Sequence, residues 1–106
     1  MNNFNSALLA FQMGKLAECE DICREILGND ERCAGAWHLM SKMAAVQGDF
    51  ETAKEFGLLA CELDPTNAVF LSEISEVLLV LGLVNEADDK ASLALQISPE
   101  NPAIMV

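Results

Sequence analysis

The chain has no tyrosine, one histidine (His38), one tryptophan (Trp37) and three prolines in 106 residues. Acid–base and nucleophilic chemistry is thereby left with few of its usual side chains, and neither a glycine-rich phosphate loop nor a nucleophile elbow is present. Glutamates on helix surfaces do not substitute, because a catalytic carboxyl needs a desolvated cleft that perturbs it. An enzyme is not expected. Positive charge is also scarce: six Lys and Arg stand against seventeen Asp and Glu, a net charge of −11. Such a surface repels phosphate backbones and anionic lipid, so neither nucleic acid nor membrane is an expected partner, while a basic partner would be steered toward it.

Long apolar runs are missing too. The longest wholly apolar or glycine stretch is residues 77–84, far below the roughly 20 residues of a membrane-spanning helix. No basic residue precedes Lys15 and the early apolar run is short, residues 7–11, which is not the pattern of a secretory signal. The four cysteines, Cys19, Cys23, Cys33 and Cys61, lack CxxC spacing and do not read as a disulfide framework; reduced thiols in a cytoplasmic protein are expected. Cys19 and Cys23 lie four apart and, with Cys33, offer thiols to a soft metal, but a structural site wants four ligands and His38 is on another helix. No metal or cofactor is expected, and these thiols read as small hydrophobes in a core.

What is present is periodic. With 52% apolar and 22% charged residues the composition is that of one globular domain. Gly14, Gly48 and Gly82 recur at an interval of 34, and in the same register Ala53 matches Ala87, Ala60 matches Ala94, Pro65 matches Pro99 and Asn67 matches Asn101. Apolar residues at three-and-four spacing predict helices over about 5–13, 16–27, 34–46, 50–63, 68–81 and 85–97, with breaks at Gly14, 28–31, Gly48, 64–66 and Gly82. Paired helices at such a period mark an α-solenoid. Gly57 falls inside a helix, where glycine costs about 1 kcal/mol relative to alanine; close approach of a neighbouring helix is the expected reason.

Trp37, Gly48, Asp49, Phe50, Ala53, Ala60 and Asp64-Pro65 stand where the tetratricopeptide repeat (TPR) family places its tryptophan, its inter-helix turn, its small packing residues and its terminal proline. The chain resembles that family over nearly its whole length, with departures: Asn3 and Leu71 match Trp37, Glu31 replaces the proline of the first copy, and the large slot of the second helices holds Cys23, Gly57 or Ala91. The resemblance implies an all-α fold of three helix-turn-helix repeats, about 1–33, 34–67 and 68–101, stacked as a right-handed superhelix within a single domain, with 102–106 starting a further helix. Trp37 is expected to be largely buried between the first and second repeats.

The resemblance also implies a protein-interaction module that binds a peptide or partner helix in a concave, largely apolar groove lined by Phe4, Leu8, Phe11, Gln12, His38, Lys42, Ala45, Val46, Val69, Ser72, Glu76, Leu79 and Val80. The places where part of the family grips a carboxylate tail hold Phe4, Leu8, Leu39, Val69 and Glu73, so that clamp is absent. The expected partner carries apolar anchors with basic flanks. Two alternatives stand beside this reading: the N-terminal repeat region of a multidomain enzyme such as a glycosyltransferase, and a small acidic secretion chaperone. The C-terminal end lacks a polar cap, so Leu93, Leu95, Ile97, Ile104 and Met105 are expected to support self-association.

Overall fold

Three glycines decide where the first helix of each pair stops. In the computed structural model, which describes residues 3–99, Gly14, Gly48 and Gly82 have φ of 77°, 82° and 79°, a left-handed conformation in which a Cβ is penalised. The same two hydrogen bonds close around each. The residue after the glycine donates its N–H across the turn, from Lys15 to Ala10 O, Asp49 to Ala44 O and Leu83 to Leu78 O, each at 2.9 Å, while the glycine N–H reaches Phe11, Ala45 or Leu79 O. This Schellman arrangement satisfies carbonyls that a helix end leaves unpaired.

The resulting helices are α1 (Phe4–Gln12), α2 (Leu16–Asn29), α3 (Ala34–Val46), α4 (Phe50–Leu63), α5 (Ala68–Val80) and α6 (Val84–Ile97), and no strand occurs among the described residues. Asn3, Asp49 and Asn67 accept from the N–H groups of Ser6, Thr52 and Phe70, capping α1, α4 and α5. One expected boundary moves. Gly28 does not end α2 but stays helical without a positive φ, and Asn29 follows it in the helix, its side chain donating to Glu25 O at 3.1 Å. The chain leaves the helix at Asp30, whose carboxylate accepts from Arg32 N. Residues 102–106, Asn101, Ile104 and Met105, expected to begin a further helix and to extend the apolar end, lie outside the described residues.

Within each repeat α1 packs on α2, α3 on α4 and α5 on α6, and α2–α3 and α4–α5 contacts join successive repeats. Small residues allow the close pairing: Cys19, Ala53 and Ala87, one per second helix in equal register, are 0%, 0% and 1% exposed. In two of the three repeats the first helix also sends a hydroxyl across. Ser41 donates to Ala53 O at 2.7 Å and Ser75 to Ala87 O at 2.9 Å, whereas the first repeat carries Ala7 and Cys19 at these positions and has no such bond to make.

Trp37 is partly buried, neither fully enclosed nor exposed. Its ring lies 5.4 Å from that of Phe56 on α4 of its own repeat, and its indole N–H donates to Glu31 O in the segment joining the first two repeats. The indole therefore keeps a polar tip at the rim, as amphipathic rings do. α5 buries Ala68, Leu71, Ser72, Ile74, Ser75, Val77 and Leu78, yet leaves Val69, Leu79 and Val80 exposed on its remaining face.

Candidate functional site

The first helices of the three repeats do not approach one another equally. α1 packs against α3 because Gly35 lets the Phe4 ring lie on the α3 backbone: a Cβ at Gly35 would fall 2.8 Å from Phe4 Cε1. One repeat on, the slot of Gly35 is Val69, a β-branched residue, and α3 and α5 meet largely through their side chains. A crevice of about 330 Å³ opens between them.

Its α3 wall is His38, Ser41, Lys42, Ala45 and Val46; α5 supplies Phe70, Glu73, Ile74, Glu76, Val77 and Val80; Phe50 and Gly57 of α4 lie at the floor, and Phe11 of α1 closes one side. The charged groups are already organised. The Glu73 carboxylate accepts from His38 Nε2 through one oxygen and faces Lys42 Nζ at 3.6 Å through the other. His38 also stacks on Phe70, centroids 4.4 Å apart, and Lys42 Nζ stands 5.1 Å over the Phe11 ring, a cation–π distance. Glu76 is exposed and has no ion pair among the described residues. The crevice is therefore apolar in its walls and acidic at its mouth.

Burial alone would push the Glu73 carboxyl up, but the hydrogen bond and charge of His38 and the charge of Lys42 outweigh it and hold the group below the usual carboxylate range. A carboxyl depressed on folding stabilises above its unfolded value, about 4.5, and that contribution is lost as pH falls through the folded value. Since the pair is partly exposed, the term is at most about 1 kcal/mol. Glu73→Gln is therefore expected to be less stable than the parent at pH 7, with the gap between the two closing below about pH 4; denaturant titrations at both pH values check this, and a gap independent of pH would contradict it.

Of the residues placed in the groove by spacing, Phe11, His38, Lys42, Ala45, Val46, Glu76 and Val80 do line the crevice. The others do not meet there. Phe4 and Leu8 pack against the core shared by the first and second repeats, Ser72 is buried at 6% exposure, Gln12 is exposed at the end of α1, and Val69 and Leu79 are exposed outside the crevice. The α5 wall runs through Phe70, Glu73, Val77 and Val80, so Leu79 faces away from it, while Val69 shares the helix face of Glu76 and Val80 but lies a turn or more nearer the helix N-terminus, outside the crevice. Spacing missed Ser41, Phe50, Gly57, Phe70, Glu73, Ile74 and Val77. Two signals were available, the empty large slot at Gly57 and the placement of Glu73, one of two carboxylates in a largely apolar helix.

Elsewhere the three buried thiols are inert. Burial pushes Cys23 up to about 12 and Cys61 up to about 11, and raises Cys19 as well, so these side chains stay protonated. Among the described residues no group of three or more His, Cys, Asp or Glu is arranged to hold a metal ion, and no helix is long and apolar enough to cross a membrane.

No protein-family model and no curated protein sequence matches the chain. Solved structures do. A mutant O-GlcNAc transferase from Thermobaculum terrenum superposes with a TM-score of 0.87 at 23% identity, over 92% of this chain and 19% of the transferase. The first TPR of Spaghetti (RPAP3), bound to the HSP90 peptide SRMEEVD, gives 0.86 at 18% identity over 94% of this chain and 79% of that one. The Yersinia enterocolitica type III secretion chaperone SycD, in complex with a peptide of the translocator YopD, gives 0.82 at 18% identity over 93% and 76%. The fold is thus a TPR-like stack of helix pairs, all-α over the described residues.

Proposed function

We propose that residues 1–106 form a single protein-interaction domain whose α3–α5 crevice seats a peptide or helix of a partner protein, with apolar anchors and basic flanks. The observation that carries this reading is the charge balance at the crevice mouth: its one lysine already faces Glu73, which leaves Glu76 over apolar walls. The like-folded structures lend support, since the Spaghetti domain holds an HSP90 peptide and SycD a YopD peptide. An acidic tail such as SRMEEVD suits this chain poorly, because the clamp positions hold Phe4, Leu8, Leu39, Val69 and Glu73 and Lys42 is neutralised. Two or three apolar anchors at about 1.5 to 3 kcal/mol each, less the cost of ordering them, correspond to micromolar affinity.

A peptide array tests the reading. The parent protein should select apolar peptides with basic flanks, and a Val46→Glu, Val80→Glu variant should lose at least about tenfold in affinity. Both valines line the crevice yet are 64% and 60% exposed, so the variant should melt where the parent does. Selection of acidic peptides by the parent, or undiminished binding by the folded variant, would overturn the assignment.

The chain acts by binding rather than catalysis in this reading, which the protonated thiols support, and four free cysteines suit the reducing cytoplasm. A second reading, the repeat region of a larger transferase, is supported by the likeness to a stretch amounting to 19% of the O-GlcNAc transferase; the crevice would keep its docking role beside a separate catalytic domain, and the full reading frame decides between them. Self-association belongs to the proposal as well, because Leu93, Leu95 and Ile97 of α6 are 40%, 44% and 37% exposed. Since a charge of −11 opposes self-contact until salt screens it, sedimentation velocity should show a larger species growing in with protein and salt concentration. A monomer at all concentrations and ionic strengths would remove this part.

A further inference from the structure

We infer that Gly57 and Ile74 together set how deep a partner's anchor can enter the crevice, and so select anchor size; this rests on the peptide-docking reading above. In the equivalent slot the neighbouring repeats carry Cys23 and Ala91, so the second repeat alone lacks a Cβ there. A Cβ at Gly57 would fall 2.6 Å from Ile74 Cδ1 and 3.1 Å from Ser41 Oγ. Ser41 has little room to retreat, because its hydroxyl donates to Ala53 O at 2.7 Å. Ile74 Cδ1, the end of a flexible side chain at the crevice wall, is the atom that must move. A methyl at position 57 therefore drives Ile74 outward and makes the crevice shallower, whereas Ile74→Val deletes Cδ1 and makes it deeper.

The occupant follows from volume and charge. At about 330 Å³ the crevice is roughly twice a cavity that accepts benzene, enough for two bulky apolar side chains. Glu76, which has no ion pair among the described residues, stands beside it and complements a cation. The segment that fits is an amphipathic one presenting two large apolar residues on one face, one helical turn apart, next to a Lys or Arg.

Fluorescence anisotropy with labelled alanine–lysine peptides, whose two anchors are both Phe, both Leu or both Ala, tests the inference. The parent should favour the Phe peptide over the Ala peptide. Gly57→Ala should lower that affinity ratio about fourfold, the contribution of one buried methylene, and Ile74→Val should raise it about fourfold, with the double variant near the parent. If the parent favours Phe but neither substitution moves the ratio, anchor depth is not set here while peptide docking stands. If the parent shows no anchor preference, both fall. Should Gly57→Ala fail to fold, Ile74→Val decides alone: a raised ratio supports the inference and an unchanged one overturns it.

Discussion

Leu78→Ala is expected to lower the unfolding free energy by about 3 to 4 kcal/mol, near the upper part of the range for buried leucine truncation. Leu78 is 0% exposed and belongs to a cluster that includes Ala44, Ala53, Ala68, Ala87 and Ala94. Five of the ten buried members of that cluster are alanines, which have no rotamers with which to close a vacated space, so the site collapses only in part and the cavity cost adds to the lost transfer energy. The backbone there is also tied, since Leu78 O accepts from Leu83 N in the turn around Gly82. Against a total stability of about 5 to 10 kcal/mol for a domain of this size, such a loss should drop the melting temperature by at least roughly 12 °C. Leu79→Ala is the control: its side chain is 54% exposed and its loss should cost under about 0.5 kcal/mol. Urea titrations of the two variants check the pair, and a Leu78→Ala cost below about 1 kcal/mol would mean that the α5–α6 packing is wrong.

The contrast between those adjacent leucines separates what the sequence made legible from what it did not. Helix breaks at Gly14, Gly48 and Gly82 were readable because a left-handed turn has a residue-type requirement. Gly28 misled for the same reason in reverse: glycine permits a break without requiring one, and α2 continues one residue past it. The resemblance placed Leu79 and Val69 in the groove, by carrying the family's groove-facing slots over in the 34-residue register, but register fixes neither the rotation of a helix about its axis nor its distance from the next. Those are set by contacts such as Gly35 on Phe4 and Gly57 on Ile74, between residues many positions apart. Seven of the residues assigned to the groove line the crevice, five on α1 and α3 and two, Glu76 and Val80, on α5; the rest of the α5 wall, Phe70, Glu73, Ile74 and Val77, came from tertiary packing.

Gly35→Val is expected to cost about 2 kcal/mol and to weaken peptide docking in parallel. A Cβ there would stand 2.8 and 2.9 Å from Phe4 Cε1 and Cζ, well inside van der Waals contact, and valine adds two methyls to it. Either the ring leaves α3 and gives up its burial against the first core cluster, or α1 lifts off as a unit; overpacking of this kind typically costs about 1 to 3 kcal/mol. Helix propensity offsets little, because Gly35 is the second residue of α3. The glycine at 57 differs: its closest neighbour is the movable end of Ile74 and it lies in the middle of α4, so alanine there gains propensity while position 35 gains a clash. The docking effect follows from Phe11, which rides on α1 and holds Lys42 at 5.1 Å on the crevice wall. A double-mutant cycle isolates the contact: Phe4→Ala removes the clashing ring, so the combined variant should lose less than the sum of the two single losses by at least about 1 kcal/mol. Losses that add to within about 0.5 kcal/mol would show that Phe4 does not rest on Gly35, and the unequal spacing of α1, α3 and α5 would need another cause.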